Sequence, residues 1–271
     1  DGFASPFVAN PLVTQIVNAT SQAAWFQDVR DMSGDATNII IGGVARTIAT
    51  RWSNVMFPTP AANAYASEYI LEKGANWGYT GVRDPYTTAD SGCSQNTTWQ
   101  NMVFTLPGQV DFGQHQQVIF VTHYDSLSYN STENANYAPG ADDAISGGSA
   151  LFEALRLFRN YGFKNTVKII FFSGEEEGLC GSIAYTRQTA AHPTADMWRV
   201  VNMDQTAYDG NKNGVMNDYN WDAVSSPGSV ALGQSFVDAN ADYGPIITPA
   251  NIFRPTNKMC QTDHCPFWNV G

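Results

Sequence analysis

Two short segments of the chain are apolar at nearly every position, Val118 to Thr122 (VIFVT) and Val167 to Phe172 (VKIIFF). A strand with one wet face alternates apolar and polar residues, so unbroken runs like these predict strands covered on both faces. Asn101 to Leu106 (NMVFTL) and Arg199 to Met203 (RVVNM) predict two further strands, the first closed by Pro107-Gly108. Elsewhere apolar residues recur at helical spacing. They predict helices over Gln15 to Val29, Ala61 to Lys73, Ser146 to Asn160, Ile183 to Gln188 and Gly228 to Ala241, with Gly74 standing where the second would stop. Strand, crossover helix and strand thus repeat. The expected fold class is α/β: a three-layer α/β/α sandwich with a mostly parallel central sheet, residues 1–271 forming a single domain.

In open α/β sheets, ligands gather on loops beyond the carboxyl ends of the strands. The polar residues of interest fall there. His123-Tyr124-Asp125 directly follows VIFVT, Gly174-Glu175-Glu176-Glu177-Gly178 follows VKIIFFS, and Asp204 closes RVVNM. A fourth group, Gly140-Ala141-Asp142-Asp143, stands just ahead of a helix. Each has a plain structural account on its own: a loop histidine, a solvated glutamate face, an aspartate N-cap beside a first-turn charge. Adjacent carboxylates after an apolar strand are harder to account for that way, because they raise each other's pKa unless a cation compensates. One imidazole and several carboxylates on a shared rim suit a borderline-soft divalent ion, zinc above all.

Composition narrows the classes. Hydrophobic residues make up 43% and aromatics 13% of 271 residues, enough for a sizeable core, which excludes a disordered or collagen-like chain. A net charge of −11 argues against nucleic-acid and anionic-membrane partners. No apolar run reaches the roughly 18 residues needed to span a bilayer. Charged residues are only 14% of the chain, against about 25% in an ordinary soluble domain, and this fits a secreted or periplasmic protein. In an oxidising compartment Cys260 and Cys265 are near enough in sequence to bridge; a Cys93–Cys180 bond and buried free thiols stay open beside that pairing. Asp209-Gly-Asn211-Lys-Asn213-Gly214 matches the first half of a calcium loop, with Asn220 in place of the closing glutamate, so calcium is a second candidate ion beside the plain Asn-Gly turn.

Taken together, THYDS, PGADDAISG, GEEEGLCGS, NMDQT and TDHCPFWNVG resemble, in the same order, the motifs of the co-catalytic di-zinc aminopeptidases. That family is typified by secreted bacterial and fungal leucyl aminopeptidases, with glutaminyl cyclases and glutamate carboxypeptidases as relatives. The resemblance implies that His123 and Asp204 hold one zinc, that Asp143 bridges to a second, and that Glu176 holds the second. It further implies that Asp125 orients the His123 imidazole and that Glu175 is the general base toward a water bridging the two zinc ions. By the same resemblance, Asp263 and His264 are expected in the segment that walls the substrate pocket. The implied activity is removal of N-terminal residues from peptide substrates. A glutaminyl cyclase-like mono-zinc acyltransferase and a non-catalytic ectodomain of the same fold are the alternatives. The family's remaining ligand, a histidine, belongs to a loop beyond the segment that TDHCPFWNVG introduces. The resemblance therefore implies a closing strand, ligand loop and helix of roughly 50 residues, supplied as a second chain by proteolytic processing. A truncated chain, or a degenerate relative that binds one zinc, would equally lack that histidine.

Overall fold

The computed structural model describes residues 9–53, 61–93, 99–109, 117–128, 136–188, 198–207, 227–244 and 260–270. In chain order the elements are α1 (Pro11–Asn18), α2 (Gln22–Met32), β1 (Ile39–Ile41), β2 (Val44–Arg46), α3 (Ala61–Asn76), β3 (Val82–Tyr86), α4 (Thr88–Ser91), β4 (Trp99–Leu106), β5 (Gln117–His123), α5 (Ile145–Phe158), β6 (Thr166–Phe172), α6 (Cys180–Arg187), β7 (Trp198–Asn202), α7 (Pro227–Tyr243) and α8 (Cys265–Val270). They divide between two compact units. One comprises Asp1–Thr20 and Thr206–Gln261, the other Ser21–Gln205 and Thr262–Gly271.

The smaller unit contains α1 and α7. Asn10 caps α1 by accepting from the Leu12 amide, and Pro11 takes the first helical position, where no N–H is needed. The Asn10 amide also donates to the Tyr243 hydroxyl at the end of α7, at 2.8 Å.

The larger unit is built on a five-stranded sheet of order β3-β4-β6-β5-β7. Strands β5, β6 and β7 run parallel, while β4 joins β6, and β3 joins β4, in antiparallel fashion. The sheet is therefore mixed, with its parallel half holding the two apolar runs. Alternation explains why those runs carry no polar side: on β6, Ile169 and Phe171 enter a core with Phe104, Leu151, Phe152 and Ile70, while Ile170 and Phe172 enter a second core with Tyr185 and Phe267. Helices α2, α3 and α5 border the first core, and α6 and α8 the second, giving three layers. The register places His123 beside Phe172. Tyr124 N donates to the Phe172 carbonyl at 2.9 Å, and Met203 N to the Val121 carbonyl at 2.8 Å. The turns after β5, β6 and β7 thus emerge side by side.

Several elements depart from expectation. The helix foreseen over Gln15 to Val29 is two helices, because Ser21 caps α2 by accepting from the Ala24 amide at 3.1 Å. Helix α3 runs through Gly74 to Asn76 rather than stopping there. The glycine serves close packing instead: a Cβ at that position would lie 2.2 Å from the Phe104 ring. Strand β3 (VRDPY) went unforeseen, since proline and charge disguise an edge strand as a loop. Cys93 and Cys180 form a disulfide; Cys260 and Cys265 are disulfide-bonded as well, so no cysteine is free. No described helix is long and apolar enough to cross a membrane.

Candidate metal centre

His123 ends β5 with its side chain only 1% exposed. Its Nδ1 lies 3.1 Å from the main-chain carbonyl of Asp125, which can only accept, so in the neutral ring Nδ1 carries the proton and Nε2 is left with a free lone pair. That Nε2 faces three carboxylates: Asp143 Oδ1 at 3.1 Å, Asp204 Oδ1 at 3.4 Å and Glu175 Oε2 at 3.8 Å. Ligand atoms of His123, Asp143 and Glu176 come within 4.8 Å of one another, and so do those of His123, Glu175 and Asp204. His123, Glu175, Glu176 and Asp204 from the strand ends and Asp143 from the turn before α5 therefore gather in one place.

Their supports come from neighbouring loops. The Asp125 carboxylate lies 3.7 Å from Nδ1 and accepts instead from the amides of Glu175 (3.2 Å) and Glu176 (3.3 Å), tying the turn after β5 to the turn after β6. That second turn closes on itself, with the amides of Gly178 and Leu179 both donating to the Glu175 carbonyl at 2.9 Å. Thr262 donates to Asp204 Oδ2 at 2.6 Å and accepts from Asn202, while Gln205 donates to Asp143 Oδ2 at 2.6 Å. Neither Thr262 nor Gln205 was foreseen. A single hydrogen bond leaves no pattern in sequence, although both flank motif residues. Asp263 is wholly buried and accepts from Ser182 Oγ at 2.5 Å, while the mostly buried His264 packs edge-on against Trp268 at 4.4 Å. The calcium-loop candidates Asp209, Asn211 and Asn213 lie outside the described residues.

The electrostatics are those of a crowded acidic cluster. Burial disfavours ionisation of Glu175, and Asp263, Asp125 and Asp204 add repulsion that His123 only partly relieves, so its pKa is raised well above the ordinary glutamate range. Burial and then the Asp143 charge push Glu176 up to about 7. His123 is raised although burial opposes its charged form, because Asp125, Asp143 and Asp204 outweigh that cost. Burial works to raise Asp204, yet the neighbouring His123 ring and a hydrogen bond from Thr262 hold it below the usual carboxylate range.

Does a zinc ion fit these residues? His123 Nε2 and Asp204 Oδ1 are buried polar atoms with no hydrogen-bond partner, and they point toward each other across 3.4 Å. Buried, unpaired nitrogen and carboxylate oxygen are costly unless a cation completes them, and this mixed N/O set is one zinc accepts. Asp143, 41% exposed, leaves the cluster open to solvent on one side. The residues fit.

Residues 101–271, well over half of the chain, match the model of peptidase family M28. The chain belongs to that family. Among relatives of this M28 chain, a protein of Pyrenophora tritici-repentis named "Probable zinc metalloprotease" is 32% identical over 121 residues, covering 44% of this chain and 27% of that protein. "Leucine aminopeptidase 1" of Pyrenophora teres f. teres is 29% identical over 158 residues, covering 53% of this chain and 38% of its own length. The M28 chain thus matches well under half the length of either relative. Among solved structures, Porphyromonas gingivalis glutaminyl cyclase superposes with a TM-score of 0.66 at 15% identity, over 92% of this chain and 80% of that one, a likeness of fold.

Proposed function

We propose that this M28 chain is the catalytic part of a zinc-dependent aminopeptidase that removes residues from the N-termini of peptides. The observation that carries this reading is the convergence of four carboxylates on one imidazole whose Nε2 has no hydrogen-bond partner. His123, Asp143 and Asp204 would hold one zinc; Asp143 and Glu176 would hold a second, together with a histidine from a segment outside this chain. When bound, the ions supply Lewis acidity, lowering the pKa of water and polarising the scissile carbonyl. Glu175, 3.8 Å from His123 Nε2 and outside the proposed ligand set, would take a proton from the attacking water and return it to the departing amine as the C–N bond breaks. The acidic surroundings, in a chain of net charge −11, suit the cationic α-amine of a free N-terminus. A secreted location is part of the proposal, and the Cys93–Cys180 bond supports it.

The test offers two peptide types to protein depleted of metal and then reloaded with zinc. Zinc-dependent release of free amino acids from unblocked peptides is expected, with no reaction when the N-terminus is acetylated. Conversion of N-terminal glutamine to pyroglutamate without peptide-bond cleavage would instead make it a cyclase. Neither reaction at full zinc occupancy would point to a binding protein.

A further inference from the structure

Arg51 lies outside the ligand set, yet its side chain is wholly buried. Among the described residues no carboxylate lies within ion-pair distance of its guanidinium. Burying an unpaired cation is costly, so its donors need to be met by other means. They are met by main-chain carbonyls. Nε donates to Tyr124 at 2.8 Å, Nη2 to Gly140 at 2.8 Å, and Nη1 to both Met32 and Pro139. The backbone repeats the pattern: Arg51 N donates to the Ala138 carbonyl at 3.1 Å, and the Arg51 carbonyl accepts from Ser126 N at 3.0 Å. Gly140 makes room for the fork. At its φ of +47°, a Cβ would lie 2.5 Å from Nη2 and 2.2 Å from the Asp143 carbonyl oxygen.

We propose that Arg51 is a positioning residue for the metal centre, one guanidinium tying the turn after β5, which carries His123 and Asp125, to the turn before α5, which carries Asp143. This rests on the reading of those residues as zinc ligands. Tyr124 and Gly140 are one and three residues from His123 and Asp143, so their anchored carbonyls set how far apart the two ligand atoms stand. Only arginine can do this, because a planar fork with five donors reaches several carbonyls at once, whereas lysine offers a single mobile ammonium. Burial lowers the guanidinium pKa to about 9, with the charges of Asp125, Asp143 and Glu176 acting the other way, so it remains protonated at neutral pH.

The experiment titrates zinc into the metal-free full chain against a chromophoric chelator, alongside thermal melts. Arg51→Lys should weaken zinc binding by about 10- to 100-fold, the range seen when supports of metal ligands are lost. Tyr79→Phe removes a remote hydrogen bond to the Leu155 carbonyl and serves as the control: it should lower the melting temperature and leave zinc affinity unchanged. An Arg51→Lys protein that folds and binds zinc within twofold of wild type overturns the inference. Should that variant not fold, the wild type decides through NMR of the Arg51 Nε–H. That resonance should exchange slowly and shift as zinc is added, and one unmoved at saturation overturns the inference equally. Failure of the metal-centre reading looks different: the wild type takes up no zinc, or His123→Ala takes up as much, and the inference falls with it.

Discussion

Between α2 and α3 the larger unit buries a pair of aspartates; at the ends of β5, β6 and β7 it buries another acidic cluster. In the first, the Tyr69 hydroxyl lies 2.9 Å from Asp28 and 2.8 Å from Asp31. Lys73 pairs with Asp28 and bonds the Tyr69 oxygen at 3.2 Å, and Gln27 donates to Asp31 at 2.7 Å. Both carboxylates are met by groups of the chain itself. In the second cluster, His123 Nε2 and Asp204 Oδ1 have no such partner, and Glu175 and Glu176 hold protons above their ordinary range. Burial penalises charge in both places. What differs is whether the sequence supplies the counter-charge: a cluster completed by lysine and tyrosine is a brace between helices, and one left incomplete is a socket.

Four changes probe that contrast. The largest effect is expected from Glu175→Gln, which should cut peptide hydrolysis by about 100- to 10,000-fold, the usual contribution of a general base, while bound zinc stays at the wild-type level. Retention of full activity by this variant would remove Glu175 from the mechanism. Next, Lys73→Met leaves Asp28 buried without its cation and should cost about 3 kcal/mol in denaturant unfolding, with zinc content and turnover per folded molecule unaltered. A variant that melts normally but loses zinc would merge the two clusters into one system.

The third change is pH. Glu176 in the folded, metal-free protein keeps its proton up to about 7, against an ordinary 4.5. A raised carboxyl stabilises the fold while protonated, so that contribution is complete below about 4.5 and is lost as pH rises through about 7. His123, raised above 6.5, contributes in the same direction at higher pH. Metal-free protein should therefore lose a few kcal/mol across this window, and zinc-loaded protein should not. Asp28 is raised in both forms, chiefly by burial, so the difference between the two melting curves isolates the socket. Parallel curves would mean that the acids there are already compensated. The smallest effect is expected from Thr262→Val. It removes one donor to Asp204 and should weaken zinc by about tenfold with little change in unfolding, measured by competition titration.

The parallel half of the sheet was legible because burial on both faces writes itself as unbroken apolar runs. VIFVT and VKIIFF could be little else, and the chemistry follows from what stands directly after them. His123, Glu175, Glu176 and Asp204 are visible through position as much as through type, since each stands at the end of a strand or within four residues beyond it. The antiparallel edge was not legible: Pro85 and the two charged residues Arg83 and Asp84 in β3 give no periodic signal. Gly74 misled because a glycine that admits a neighbouring ring looks, in one dimension, like a glycine that ends a helix. Arg51 was invisible for a different reason. It acts on carbonyl oxygens, which every residue has, so no partner type in the sequence betrays it.

The Cys93–Cys180 bond joins residues 87 apart. By the chain-entropy model a ring of that size contributes about 4 to 5 kcal/mol by restricting the unfolded chain. Its topology has another consequence. His123, Asp143, Glu175 and Glu176 all lie inside the ring, and among the five gathered residues Asp204 alone lies outside. A protease that cuts once anywhere between the two cysteines linearises the ring without releasing a piece of it. On a gel such a molecule migrates as intact until a reductant is added, and the inventory of zinc-facing groups stays on a single covalent object through the damage.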